Sequence, residues 1–148
     1  MLKEILARLS GDDLTRAGQL IGRTAEFDSS VSGLSGSRPA EWRWTFPSTP
    51  DSLNAEILDS SGRVVASPPV SAAAGGTLAW DGRLADGSRA PDGAYVLRLT
   101  AKDRTGAAMA ATMSSLGQVS EIMSRDGELW AGIGSVALPL SKLVRIAA

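Results

Sequence analysis

Three aspartates, Asp81, Asp86 and Asp92, stand close together in one stretch and are the first residues whose types suggest chemistry. Clustered carboxylates are what a calcium ion takes as ligands. Their order does not match a calcium-binding loop, however, and each directly precedes a glycine, which is how Asp occurs in tight turns. Glu41, Glu56, Glu121 and Glu128 are the other candidate acid–base groups. They are scattered, with no surrounding signature of a carboxylate pair for glycoside hydrolysis. Gly132-Ile133-Gly134 lacks the third glycine of a dinucleotide fingerprint, and no Gly-Lys-Ser/Thr phosphate loop occurs. The chain has no Cys and no His. That excludes thiol nucleophiles, Ser-His triads, disulfides and zinc held by Cys or His. No catalytic residue, no metal ligand and no cofactor site is therefore expected, and binding is the chemistry that remains.

Candidate binding residues are few. Trp42 and Trp44 suggest a stacking platform, but Phe46 shares their alternation and core packing is the stronger account. Trp130 has few aromatic residues near it in sequence, which argues against a cage for methylated side chains and for a core position. Arg83, Arg89 and Arg98 flank a long loop as a solvated rim or a partner contact. Of these, Arg83 and Arg89 are taken as partner-binding candidates, together with Leu2, Ile5, Leu6 and Leu9 near the N-terminus.

The elements that must position these residues are mostly strands. The stretch Trp80–Thr100 holds three Asp-Gly pairs and Pro91, then alternates Tyr95, Leu97 and Leu99 with Val96, Arg98 and Thr100. It reads as strand, elaborate loop, half-buried strand. Trp42, Trp44 and Phe46 alternate with Arg43 and Thr45, and Leu53, Ala55 and Ile57 alternate with Asn54 and Glu56. Asp59-Ser60-Ser61-Gly62 and Asp103-Arg104-Thr105-Gly106 are hairpin turns, and residues 107–115 return after the second. Sixteen Gly and seven Pro among 148 residues fit many turns between short strands. A formal charge of −1 with no basic run gives nothing to steer nucleic acid. No apolar run is long enough to span a bilayer, and no secretory leader pattern opens the chain.

The ends differ from the middle. Leu2, Ile5, Leu6 and Leu9 fall at helical spacing, a narrow stripe that needs a partner surface, its own domain or an oligomer contact. Residues 22–27 form a strand, with Thr24 and Glu26 outward and Ala25 and Phe27 inward. Residues 29–38 are Ser/Gly-rich and read as a linker. After residue 117 come a hairpin turning at Arg125-Asp126-Gly127, a short strand Val136–Leu138 and a last element ending at Ile146. Such short strands cannot bury a core alone, and residues 22–27 are available to complete one.

The string Trp80-Asp81-Gly82, then Asp86-Gly87, then Pro91-Asp92-Gly93-Ala94-Tyr95 resembles the immunoglobulin-like domain of the bacterial flagellar hook-capping family, also called basal-body rod modification proteins. Flanking segments are similar too: Gln19–Thr24 before it, and Gly117-Gln118-Val119, Asp126–Leu129, Gly134–Leu138 and Leu143–Ile146 after it. The resemblance implies an all-β chain. A fibronectin-III/immunoglobulin-like sandwich, residues 39–114, is inserted into a small split Tudor-like β-barrel, residues 18–34 and 115–148, behind a short N-terminal helical segment, residues 1–17. It further implies a non-enzymatic, homo-oligomeric scaffold at the tip of the growing hook, whose partners are exported hook subunits. Nucleic acid and membrane insertion are not implied. The sequence departs from the family in front of the barrel, where the family carries a longer region associated with export. Modest contact between two linked domains leads to an expectation of relative motion. The alternative is an accessory binding module of a secreted or surface protein, which has no need to pair residues 22–27 with the C-terminal strands.

Overall fold

The computed structural model describes residues 17–36, 38–133 and 136–146. The helical stripe of Leu2, Ile5, Leu6 and Leu9 lies outside the described residues. The chain is all-β, and among the described residues every pairing between strands is antiparallel.

After a 3-10 turn at Gly18–Leu20 come β1 (Thr24–Phe27), β2 (Val31–Leu34), β3 (Ala40–Thr45), β4 (Ser52–Leu58), β5 (Val64–Ala66) and β6 (Gly75–Trp80). They are followed by β7 (Gly93–Lys102), β8 (Ala108–Met109), β9 (Thr112–Gln118), β10 (Glu121–Arg125), β11 (Glu128–Ile133) and β12 (Val136–Pro139). A second 3-10 turn, Leu140–Lys142, leads into β13 (Leu143–Ile146).

One sheet runs β13-β1-β9-β3-β6, a second runs β2-β7-β4-β5 with β8 on β7, and a third runs β10-β11-β12. The first sheet is the common wall of two cores. Phe27 sits opposite Ser115, and Ser115 sits opposite Trp42, so Phe27 and Trp42 share one face of that sheet. Trp42, Trp44 and Phe46 pack there against Leu53, Ile57 and Leu97 of the second sheet. Ala25 and Phe27 pack beside them against Leu129, Ala131 and Ile133 of the third. Full burial of Trp42 and Phe27 supplies much of the apolar area that holds each pair of layers together.

Three expectations change. The sheets do not close into a barrel. β9 is long enough to pair with β3 and β1 at once, so β1 and β13 extend the sandwich sheet, while β10–β12 form a sheet of their own. The boundary drawn between residues 114 and 115 accordingly runs through β9.

The Ser/Gly-rich stretch 29–38 contains β2, which pairs with β7 and belongs to the sandwich. Its small residues serve close packing: a Cβ on Gly33 would come 2.5 Å from the Ile133 carbonyl oxygen. Its serines serve the backbone. Ser29 Oγ accepts the Val31 N–H at 3.0 Å, and Ser32 Oγ accepts the Glu41 N–H at 3.0 Å.

Residues 107–115 are two strands, because β8 completes the hairpin with β7 and the chain then crosses to the first sheet as β9. Glu26 points away from the core as expected, but is only 6% exposed.

Candidate interaction surfaces

The aspartate turns are self-contained. Asp59 Oδ1 accepts the N–H groups of Ser61 at 2.9 Å and Arg63 at 3.1 Å, together with the Ser61 hydroxyl at 2.6 Å. Asp103 repeats the arrangement with Thr105 N–H at 2.8 Å, Thr105 Oγ1 at 2.6 Å and Ala107 N–H at 3.1 Å. Asp86 accepts from the Ser88 N–H at 2.9 Å and from its hydroxyl. Hydrogen bonding to the charged form holds all three carboxyls below their ordinary range, with the Ser or Thr hydroxyl the largest contributor in each. Asp81 accepts the Arg83 N–H at 3.0 Å, and Asp92 is bonded to Arg89 and to the Gly36 N–H. Asp81, Asp86 and Asp92 thus each serve a separate set of bonds. Among the described residues no three acidic side chains converge on a point that would hold a metal.

The long loop after β6 is built on Trp80 and Tyr95, whose rings meet edge to face at 4.9 Å. Trp80 Nε1 donates to the Arg83 carbonyl at 3.1 Å, and the Tyr95 hydroxyl donates to the Pro91 carbonyl at 2.6 Å. Burial pushes the Tyr95 phenol up, with Asp59 adding to it. Gly82 adopts φ 92°, a conformation that an L side chain rarely takes, and a Cβ there would also press on Leu34.

The two arginines singled out in this loop have different roles. The Arg89 guanidinium donates to the Ser35 carbonyl at 2.7 Å and pairs with Asp92 at 3.1 Å, so it fastens the loop to the end of β2. The Arg83 side chain has no hydrogen bond or ion pair among the described residues, and it stands beside an apolar groove lined by Val64, Ala66, Pro68 and Leu84. Arg98 is taken up by a cross-strand pair with Glu56 at 2.7 Å. Trp42 and Trp44 are buried in the core, and Trp42 Nε1 donates to the Ser30 carbonyl at 2.8 Å. Trp130 is half-buried, contrary to the expected core position. It lies across from Met123 and Pro139, with the Arg125 guanidinium 5.0 Å from its ring centre.

One cluster has no local signature in the sequence. Glu26 accepts the Ser114 hydroxyl and pairs with Arg43 Nη1 and Arg145 Nε, each at 3.2 Å. These residues come from β1, β9, β3 and β13, and they border an open groove of about 610 Å³ that also reaches Asp28, Thr45 and Val144. Only the outward alternation of Glu26 between Ala25 and Phe27 marked the position, and alternation does not reveal partners that are distant in the chain.

Residues 29–105, just over half of the chain, match the FlgD Ig-like domain family. The chain belongs to that family. No curated protein matches it. Among solved structures it is similar to FlgD from Xanthomonas campestris, described with the hook capping essential for flagellar assembly. Identity is 24%, with 92% of this chain and 100% of that one covered and a TM-score of 0.73. FlgD from P. aeruginosa is 21% identical, with 86% and 98% covered and a TM-score of 0.66. A truncated FlgD from Helicobacter pylori is 20% identical, with 86% and 94% covered and a TM-score of 0.51. The FlgD family match spans β2–β7 and the Trp80–Tyr95 loop, where the Asp-Gly and Pro-Asp-Gly strings lie.

Proposed function

We propose that this chain is a scaffold for assembly of the bacterial flagellar hook, promoting insertion of hook subunits at the growing tip by binding alone. The observation that carries this reading is the match of residues 29–105 to the FlgD Ig-like domain family. The chemistry of the chain supports it. Cys and His are absent, and the acidic side chains of the long loop are bonded into turns. The partners in this reading are exported hook subunits and further copies of the chain. Nucleic acid is not among them, in line with a formal charge of −1, and no helix among the described residues is long and apolar enough to cross a membrane. The chain would pass from the bacterial cytoplasm to the distal end of the hook.

The partner contacts proposed are Arg83 on the loop and Leu2, Ile5, Leu6 and Leu9 at the N-terminus. Arg89, an initial candidate, acts in this reading by holding the loop that presents Arg83. The test is deletion of the gene in its source bacterium, followed by electron microscopy of basal bodies. Rods without hooks, restored by the full-length gene, are the expected result. Normal hooks in the deletion strain would overturn the reading.

A further inference from the structure

The two cores meet along β9, and the outer face of their common sheet carries one buried carboxylate, Glu26, 6% exposed. Its partners are distributed across the join. Arg43 is on β3, which walls the first core. Arg145 is on β13, which walls the second, and Ser114 is on β9, between them. Hydrogen-bonded neighbouring strands occur with twists from about −10° to −35°, so pairing is compatible with more than one angle. The ladder through β9 therefore does not by itself set the angle between the cores.

Opening the join would draw Arg43 away from Glu26. The two guanidiniums are 43% and 64% exposed and keep much of their hydration when parted, whereas the Glu26 side chain, 7% exposed, depends on them and on Ser114 for its partners. A buried carboxylate that loses its partners is strongly unfavourable, so the closed arrangement is favoured. The opposite face is tied as well. Ile133, on the third sheet, packs into the space that Cβ atoms would occupy on Gly33 of β2 and Gly117 of β9.

We propose that Glu26 is an ionic clasp that locks the two cores into one rigid body, in place of the hinged pair that the sequence suggests. The inference concerns the molecule alone and holds whether or not the chain caps a hook.

Backbone amide relaxation of the whole chain tests it, by comparing the rotational correlation time of β4 and β7 with that of β10 and β11. One common value is expected for the unaltered protein. Glu26→Gln should split it, with β10 and β11 tumbling faster than β4 and β7. Arg43→Gln severs the tie to β3 but leaves Glu26 with Arg145 and Ser114, so the third sheet keeps its support. It should also split the value, and it decides the matter if Glu26→Gln does not fold. Two values in the unaltered protein would overturn the rigid body. A single common value retained in the folded variants would overturn the clasp.

Discussion

Gly117 of β9 lies directly beneath Ile133 of β11, with no room between them for a methyl group. The obstructing atom is Cγ2 of a β-branched side chain, which has little freedom to turn aside. Gly117→Ala should therefore force the third sheet off the first and destabilise the protein by about 1–3 kcal/mol. Chemical denaturation followed by Trp fluorescence measures this. Ile133→Ala removes the obstructing atom, so the double variant should lose less than the sum of the two single losses. Additive losses would show that the two residues do not press on each other.

Much of the sandwich was legible because its signals are local. Trp42, Trp44 and Phe46, then Leu53, Ala55 and Ile57, alternate as buried strand faces must, and they lie in the core. The turns at Asp59 and Asp103 follow from side chains that bond their own backbone. The shared sheet was not legible, because it depends on which strands pair. β1 sits between β9 and β13, both distant in sequence, and alternation is silent on neighbours. By composition β2 reads as a linker, because serine and glycine register as flexible, whereas in the fold they allow Ile133 to pack on Gly33. At the candidate surface, Arg83 and Arg89 look alike in sequence, and only geometry assigns Arg89 to Ser35 and Asp92. Glu26 and Ser114 are 88 residues apart, beyond the reach of any motif.

The hairpin turns should govern the acid limb of stability. Hydrogen bonds from Thr105 and Ala107 lower the Asp103 carboxyl below its ordinary value of 3.8. A lowered folded value means that the unfolded chain binds the proton more readily. The contribution is therefore present above about pH 3.8 and lost as pH falls through the lower folded value. Asp103→Asn keeps an acceptor oxygen but does not titrate. Its melting temperature, followed downward from pH 5 or so, should fall less steeply than that of the unaltered protein. Asp59→Asn should behave likewise, since Ser61 and Arg63 lower Asp59 in the same way.

Tyr95 predicts the opposite limb. It is the one tyrosine in the chain, so phenolate absorbance reports on it alone. Its value is raised above 10.0, chiefly by burial. With the folded value above the unfolded one, stability is full below about pH 10 and falls as pH rises through the folded value. Tyr95→Phe removes that dependence and also the hydrogen bond to Pro91, at about 1 kcal/mol near neutral pH. A phenol that titrates at its ordinary value in the native protein would contradict this.

Arg83 and Arg89 should separate cleanly. Arg83→Ala removes no hydrogen bond or ion pair among the described residues and should change stability by less than about 0.5 kcal/mol. Arg89→Ala releases Ser35 and Asp92, and amide exchange at Gly36 and in the loop at residues 82–92 should quicken. If the loop presents Arg83 to a partner, Arg83→Glu lowers hook formation in cells while the melting temperature stays unchanged. Arg89→Ala lowers both.

The cluster at Glu26 should respond unequally to loss of its acid and its bases. Glu26→Gln removes the charge, keeps the volume and leaves Arg43 and Arg145 partly exposed to water, which rehydrates them. The loss should be on the order of 1 kcal/mol. The Arg43→Ala/Arg145→Ala double variant leaves a buried carboxylate with Ser114 as its remaining partner, and should cost about 3 kcal/mol. Adding Glu26→Gln to that double variant removes the stranded charge and should restore part of the loss. Denaturant midpoints at one protein concentration and salt level give all three values. If the triple variant is less stable than the double by the full cost of Glu26→Gln alone, the charges act independently, and burial of Glu26 has no part in holding the strands together.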